Sequence, residues 1–288
     1  MRERKIAAAP ISWGVSEVPK WGVQLTPERV LADAQRLAFR AMEAGPPGFL
    51  PSDAKAAARA LDAHGLRCIG GFVTVVLHDA ARRDAELASV EQQAAWLHAV
   101  GAELLVLAAA TGREGYEERT ELTDAEWTTL FETLPLVEAI AAAKQLTVVA
   151  HPHVGTVIEQ PRDIERLLAR SHVPLCLDTG HVFVGGGDPA AVARAAGRRV
   201  RHVHLKDADA TLSAAVRDGH LSYAAAVQQG LYRPLGDGDA GISQVLTELR
   251  SVGYDGWYVL EQDVALKDAS ADPLPSIERS LTFVSARV

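Results

Sequence analysis

Short apolar runs alternate with longer amphipathic, alanine-rich segments along the whole chain. Eight of the runs have the length of a buried strand, and Gly or Pro marks many of the boundaries. Apolar runs separated by helical segments indicate repeated βα units around a parallel sheet. The predicted strands are 6–11, 38–43, 66–72, 104–108, 147–151, 173–177, 200–205 and 257–261.

The helix starts are marked by capping residues that stand before Pro or an acidic first turn. Thr26-Pro27 and Asp188-Pro189 have this form. Eight strands in strict alternation with eight helices predict a (β/α)₈ TIM barrel, a single domain over residues 1–288. The predicted helices begin near Pro27, Asp53, Ala85, Asp124, Pro161, Pro189, Gly241 and Pro273.

A doubly wound sheet is the competing α/β fold. It usually carries a Gly-rich phosphate-binding turn after its first strand, whereas this chain continues there as Pro10-Ile11-Ser12-Trp13-Gly14. The longest connection, residues 207–241, is predicted to be an active-site loop with a short helix over 223–229.

Charge balance and composition exclude several classes of protein. The chain has 29 basic and 37 acidic residues, a net charge of −8, and no basic stripe or cluster of Lys and Arg interleaved with aromatic residues. Nucleic-acid binding is therefore not expected, and a small-molecule partner is. No apolar run approaches the roughly 18 residues that span a membrane. Cys68 and Cys176 lie in apolar runs, which predicts buried, reduced thiols and a cytoplasmic location.

Titratable residues stand at the ends of several predicted strands, where the catalytic groups of α/β barrels lie. Because side chains alternate along a strand, His202, His204 and Lys206 share one face. A set of imidazole and carboxylate ligands suits Mn²⁺, Co²⁺, Fe²⁺ or Zn²⁺ and argues against a thiolate site. The strand-end residues are Glu43, His151, His153, Asp178, His181, His202, His204, Lys206 and Glu261.

Each of these residues also has a plain structural explanation. A single strand-end Asp is often a helix cap, and Glu43 has the alternative of an ion pair with Lys206 across the barrel. Trp13 and Phe72 are candidates for the wall of a sugar-sized pocket, although aromatic residues near a barrel rim often belong to the core. Several buried charged groups at one barrel mouth are costly unless they are paired or bind a metal, which favours a functional site.

The motifs at these strand ends resemble those of the xylose isomerase-like sugar isomerase/epimerase superfamily, and within it those of the inosose dehydratase group. The match covers nearly the whole chain. The segments that carry it begin with Ala9-Pro10-Ile11-Ser12-Trp13, Ala41-Met42-Glu43, His151-Pro152-His153-Val154-Gly155-Thr156 and Leu177-Asp178-Thr179-Gly180-His181. They continue with His202-Val203-His204-Leu205-Lys206-Asp207, Pro234-Leu235-Gly236-Asp237-Gly238 and Glu261-Gln262-Asp263.

The resemblance implies a divalent metal ion bound by a residue of the fifth strand together with Asp178, His204 and Glu261. The epimerases of the superfamily use a Glu on the fifth strand, which also acts as a base, and this chain has His151 there. Either His151 or His153 could be the ligand. A second departure is the apolar, proline-rich stretch 44–51, where the substrate wall is expected to differ.

The resulting hypothesis is a metal-dependent lyase that dehydrates a keto-cyclitol through an enediolate intermediate. His153, Lys206 and Glu261 are the candidate bases, and His181 or Lys206 is the candidate acid. A ketose isomerase or epimerase and a C-glycoside-cleaving lyase are rival enzymes with related chemistry. A sugar-binding protein without activity is the rival of another class. The expected partner is a sugar or cyclitol, and assembly into a homo-oligomer is left open.

Overall fold

A computed structural model describes residues 5–268 and 270–288 of the chain. Its central sheet is parallel, and a separate two-stranded ribbon pairs antiparallel. The strands are β1 (Ile6–Ala8), β2 (Ala41–Met42), β3 (Arg67–Cys68), β4 (Gly70–Val75), β5 (Leu104–Ala109), β6 (Thr147–Ala150), β7 (Leu175–Asp178), β8 (Val200–Leu205), β9 (Asp207–Ala208), β10 (Tyr232–Arg233) and β11 (Tyr258–Leu260).

The central sheet closes into the predicted TIM barrel. Its order is β3-β2-β1-β11-β8-β7-β6-β5-β4, so that the two end strands are halves of one stretch interrupted at Ile69. The Ile69 backbone N–H donates to the Met42 carbonyl (3.1 Å), and the Leu104 N–H donates to the Ile69 carbonyl (3.1 Å). These bonds join the interrupted third barrel strand to both of its neighbours.

Several predicted strands have different bounds in the structure, and two of the differences lie at the carboxyl ends of the strands. The first ends at Ala8 instead of residue 11, because Pro10 opens a 3₁₀ turn (Pro10–Trp13) and has no N–H for the sheet. The third continues to Val75, since Gly70 to Val75 pairs with β5 over its whole length. Both differences shift the point at which the chain leaves the barrel.

Helices cover the outside of the barrel. All eight predicted helices are present within a few residues of their expected starts, and the short helix predicted in the long loop is present as well. The helices are α1 (Pro27–Arg36), α2 (Ala54–Asp62), α3 (Arg83–Val100), α4 (Asp124–Ala143), α5 (Pro161–Arg170), α6 (Thr179–Val184), α7 (Pro189–Ala196), α8 (Ala210–Arg217), α9 (Tyr223–Gln228), α10 (Ile242–Ser251) and α11 (Leu274–Ser285). Within the described ranges, no helix has the length and apolar character needed to cross a membrane.

The long connection after β8 is an ordered lobe. Its two ends pair as the ribbon β9–β10, and α8 and α9 lie between them. The Asp207 carboxylate anchors the return of this lobe, because it accepts backbone N–H bonds from Gly236 (2.8 Å), Gly238 (3.2 Å) and Ala240 (3.0 Å). The lobe therefore stands in a fixed position beside the carboxyl ends of the barrel strands.

The thiols of Cys68 and Cys176 are unpaired and buried. Burial raises the pKa of Cys68 to about 12 and that of Cys176 to about 11. The thiolate is the reactive form, so both groups are expected to resist a disulfide reagent in the native protein at mildly alkaline pH and to react after unfolding in guanidinium chloride. Spectrophotometric thiol counting measures this, with the exposed Ser243→Cys variant as a control that gains one reactive thiol. Rapid native labelling of either original cysteine would contradict the buried placement.

Candidate active site

The site residues continue the inward-facing rows of the barrel strands. Side chains alternate along a strand, so the residue two positions beyond a buried inward residue points to the same side. Cys176 and Val259 lie in buried clusters, and two residues further on stand Asp178 and Glu261. The same step leads from Ala41 to Glu43, from Val149 to His151 and from His202 to His204.

A cavity of about 260 Å³ opens at this end of the barrel. Its floor carries polar groups from the strand ends, and most of its wall comes from the segments that connect the strands and helices. Aromatic and proline side chains dominate the wall. The floor contains Glu43, His151, His153, His204, Glu261 and Asp263, and the wall contains Pro46, Pro47, Trp21, Phe72, Tyr116 and Tyr223.

Asp178, His204 and Glu261 bring one possible ligand atom each to within 4.8 Å of one another. The register pairs Asp178 directly with His204 across β7 and β8. His204 Nδ1 lies 3.0 Å from Glu261 Oε2 and 3.6 Å from Asp178 Oδ2, yet it has no hydrogen-bond partner among the described residues. The three atoms are close enough together to be candidate ligands of one metal ion.

The distance from His204 Nδ1 to Glu261 Oε2 is that expected between two ligands of one divalent ion, and the distance to Asp178 Oδ2 is slightly longer. Ligands bound at about 2.1 Å and at angles of about 90–110° stand roughly 3.0–3.4 Å apart. Burial lowers the pKa of His204, but the charges around it, including those of Glu261 and Glu43, raise it well above its usual value. The field at Nδ1 therefore favours a positive charge, which either a proton or a cation supplies.

His151, and not His153, stands beside this group. His151 Nε2 is 3.4 Å from Asp178 Oδ2, and its ring centroid is 4.8 Å from that of His204. His153 Nδ1 donates to the Val154 carbonyl (2.6 Å), and its ring packs on His181 with centroids 3.6 Å apart. The structure thus favours His151 as the ligand from this strand.

Lys206 is completely buried beneath the cavity floor. Its Nζ lies 2.7 Å from Glu261 Oε1, 2.8 Å from Asp263 Oδ1 and 3.4 Å from Asp178 Oδ2. Burial lowers the pKa of Lys206, but these carboxylates raise it well above its usual value. The group is an ammonium ion at neutral pH and is not available as a base.

A second polar chain joins Lys206 to the long lobe. Lys206 Nζ is 3.0 Å from His181 Nε2, and Tyr232 Oη is 3.3 Å from His181 Nδ1. The Tyr223 hydroxyl donates to Asp263 Oδ2 (2.8 Å) and lies 3.1 Å from Tyr232 Oη. Burial, partly offset by Lys206, raises the pKa of Asp263 to about 6.

Glu43 forms hydrogen bonds to histidines and no ion pair with Lys206. Its Oε1 accepts from His202 Nε2 (2.7 Å) and from His204 Nε2 (2.8 Å). Burial raises the pKa of Glu43, but the charge of His204 and the bonds of both histidines lower it by more, so that the side chain is a carboxylate. It also lines the cavity, as expected for its predicted role in substrate binding.

The two predicted aromatic wall residues have different positions. Phe72 lines the cavity and makes an edge contact with His151, with ring centroids 5.7 Å apart. Trp13 is fully buried in the core, where its Nε1 donates to Asp33 Oδ2 (3.2 Å). Trp13 does not line the cavity, and Trp21 takes that position.

Sequence reasoning missed several residues around the cavity. Asp263 had a usable signal, because it lies two positions beyond Glu261 in an extended segment. Tyr116 and Tyr223 had none, because neither lies on a barrel strand: Tyr116 is in a loop, and Tyr223 begins α9. Their places depend on distant contacts, such as the 2.6 Å bond from the Tyr116 hydroxyl to Glu17 and the capping of the Tyr223 N–H by Glu117 (2.7 Å).

Fold and site together define a TIM barrel with a candidate metal centre at its carboxyl end. The profile of the family described as "Xylose isomerase-like TIM barrel" matches residues 31–284. The chain belongs to this family.

Several known proteins are similar to this chain in sequence or in structure. An inosose dehydratase of Geobacillus kaustophilus is 30% identical over 270 residues, which cover 90% of this chain and 87% of the relative. The rhizopine catabolism protein MocC of Rhizobium meliloti is 30% identical, over 90% of this chain and 81% of its own. Among solved structures, the probable 3-DHS dehydratase AsbF of Bacillus anthracis has a TM-score of 0.72 at 14% identity, over 99% of this chain and 100% of its own. At that identity the last likeness concerns the fold alone.

Gly180 makes room for Lys206. A Cβ at this position would lie 2.5 Å from Lys206 Cγ and 2.7 Å from Cδ. In an open helix Gly→Ala stabilises by about 1 kcal/mol, but Lys206 is held by its carboxylate partners. We expect Gly180→Ala to destabilise the protein by about 1–3 kcal/mol through overpacking.

Urea denaturation followed by circular dichroism measures this effect. Gln244→Ala, at an exposed position of α10, is the control and should change the free energy of unfolding by less than about 0.5 kcal/mol. Equal or greater stability of Gly180→Ala would mean that the Lys206 stem has room to move.

Proposed function

We propose that this chain is a divalent-metal-dependent dehydratase of a keto-cyclitol of the inosose type. The observation that carries the proposal is the convergence of Asp178, His204 and Glu261 at the base of the cavity, where His204 and Glu261 line the floor and Asp178 lies buried beside them. The 30% identity to a relative named inosose dehydratase, over most of both chains, supports the substrate class.

His151, Asp178, His204 and Glu261 are the residues that would hold the ion, which we propose to be Mn²⁺, Co²⁺, Fe²⁺ or Zn²⁺. Bound there, it would supply positive charge to stabilise the oxygens of the substrate enediolate. The four side chains have little freedom, since each is buried or nearly so and three of them stand on neighbouring strands. A rigid set of this kind suits an ion that must orient a substrate.

His153 is the best-placed base of the three candidates. Lys206 holds its proton, and Glu261 is engaged by Lys206 and His204. His153 lines the cavity and donates from Nδ1 to a backbone carbonyl, which leaves the lone pair on Nε2. Burial and its neighbours His151 and Lys206 lower the pKa of His153 to about 3, so Nε2 is unprotonated at neutral pH.

Lys206 and Asp263 are the groups that we propose to supply the proton to the leaving hydroxyl. The predicted acids His181 and Lys206 both lie behind the cavity floor, whereas Asp263 lines the cavity and contacts Lys206 Nζ. In the proposed reaction the α-proton moves to His153 Nε2. The electron pair then forms the C=C bond as the β C–O bond breaks, and the hydroxyl leaves as water with a proton passed through Asp263.

An epimerase and a C-glycoside-cleaving lyase share the first proton transfer with this reaction. They differ in the next step, because an epimerase returns a proton to the same carbon and loses no water. A 3-keto-D-glucoside 4-epimerase of E. coli has the same fold, with a TM-score of 0.70 at 18% identity. The product, and not the fold, separates these activities.

The test is turnover of scyllo-inosose by protein that has been stripped with a chelator and reloaded with each candidate ion. We expect enone absorbance and loss of water with at least one ion and none in the stripped protein. The same assay in D₂O gives the competing outcome: deuterium incorporated into recovered ketose without enone means epimerisation. If neither enone formation nor deuterium incorporation occurs with any of the ions, the proposed reaction is wrong.

The base assignment has its own test. We expect His153→Gln to lower kcat by about 10²–10⁴-fold, the usual contribution of a general base. Metal content measured by elemental analysis should stay at the wild-type value, because His153 is not in the proposed ligand set. His98→Gln, at an exposed position of α3, should keep wild-type activity. An unchanged kcat in His153→Gln would assign the base to another residue.

A further inference from the structure

Among the described residues, Glu43 is the one carboxylate of the cavity floor that contacts the far side of a proposed metal ligand. It comes directly after β2, and its backbone N–H donates to the Ala8 carbonyl (3.0 Å). The residue is only 5% exposed. Both of its ring contacts, to His202 and His204, use the same oxygen, Oε1.

These contacts determine which nitrogen of His204 is free. An ionised carboxylate can only accept, so the Nε2 of each imidazole must carry the hydrogen. A neutral His204 then has its lone pair on Nδ1, the atom that faces Asp178 Oδ2 and Glu261 Oε2 and that no described residue hydrogen-bonds. Carboxylate–histidine pairs of this kind orient metal-binding imidazoles and make them better ligands.

The distances indicate that Glu43 is not itself a ligand. Glu43, His202 and His204 form a compact group that could in principle hold an ion of their own. However, Oε1 is only 2.7 Å and 2.8 Å from the two nitrogens, which is hydrogen-bond distance and shorter than the roughly 3.0 Å between two ligands of one ion. The hydrogen bonds and a shared ion exclude each other.

His202 completes the arrangement from the next inward position of β8. It is fully buried, and its ring stands at 74° to that of His204 with centroids 5.2 Å apart. Its hydrogen bond to Glu43 Oε1 holds the carboxylate in place, and the same oxygen accepts a hydrogen bond from His204 Nε2. His202 is thus a support for Glu43 and does not itself line the cavity.

We propose that Glu43 is a positioning residue that fixes the tautomer and ring angle of His204, so that Nδ1 is presented to the metal. The inference rests on the proposed function only for the existence of the metal site. It replaces direct substrate binding as the main role of Glu43.

The experiment measures Mn²⁺ binding to the metal-free full-length protein by calorimetry, without substrate. Loss of an outer partner of this kind typically weakens metal affinity by about 10–100-fold. We expect that loss in Glu43→Ala, which removes the acceptor, and a smaller loss in Glu43→Gln, which keeps an acceptor oxygen but no charge. Asp33→Asn is the matched control, because Asp33 is a buried carboxylate of α1 that accepts from the Trp13 ring N–H and contacts none of the proposed ligands. It should keep the wild-type Kd.

A purely structural role for Glu43 makes a different prediction. It would lower the melting temperature of the metal-free protein and leave the Kd of the folded fraction unchanged. The visible absorption spectrum of bound Co²⁺ is a second measurement of ligand geometry, because a rotated or displaced imidazole alters the ligand field. Wild-type Kd and Co²⁺ spectrum in folded Glu43→Gln and Glu43→Ala would overturn the inference while leaving the metal site intact. Failure of the wild type to bind any ion would instead remove the proposed function and the inference with it.

Discussion

The burial of one ammonium group organises the carboxyl end of this barrel. A charge taken out of water costs several kcal/mol unless close partners compensate for it. The partners of Lys206 are Glu261, Asp263 and Asp178. Asp178 ends β7, Glu261 follows β11 directly, and Asp263 lies two residues further along the chain. The Thr179 hydroxyl also bonds both the N–H (2.8 Å) and the carbonyl (2.7 Å) of Lys206, which fastens the end of β8 to the start of α6. Removal of the ammonium would leave buried carboxylates without compensation.

The same group does not balance all of the negative charge around it. Glu43, Asp178, Glu261 and Asp263 are four buried or nearly buried carboxyl groups in one cluster, and Lys206 supplies one positive charge. Burial lowers the pKa of His204, but the carboxylates of Glu261 and Glu43 help to raise it well above its usual value, so that a proton on this imidazole would offset part of the difference. The proposed divalent ion at His204 Nδ1 would satisfy the same need and would leave both imidazole and carboxylates deprotonated, as metal ligands must be.

The positions carried by strands were accessible from the sequence, and those carried by loops were not. Alternation along a strand and the barrel rule for catalytic ends are local regularities, and they led to His151, Asp178, His204 and Glu261 as a group that the structure brings together. The choice between His151 and His153 needed the turn at Val154, which aims one ring at Asp178 and the other at a carbonyl.

The aromatic wall shows the limit of the same reasoning, because Trp13 and Trp21 are indistinguishable by type. Trp13 enters the core and donates to Asp33, whereas Trp21 enters the cavity wall and donates to the Val264 carbonyl (2.9 Å), 243 residues away. Contacts over that separation leave no trace in the local pattern of the chain.

The difference between residues held by strands and residues held outside them bears on how one fold supports several reactions. The proposed metal ligands stand at the ends of β6, β7, β8 and β11, where backbone pairing joins each strand to its neighbours. Most of the wall lies outside the barrel strands, and Trp21, Tyr116 and Tyr223 are each held there by a hydrogen bond to a residue distant in sequence. In the proposed reaction, a change of wall would alter which substrate fits and which of its carbons faces His153, while the floor would keep its charge and geometry. The step after proton removal, either elimination or return of the proton, would then depend on whether an acid such as Asp263 reaches the β-hydroxyl of the substrate that the wall selects.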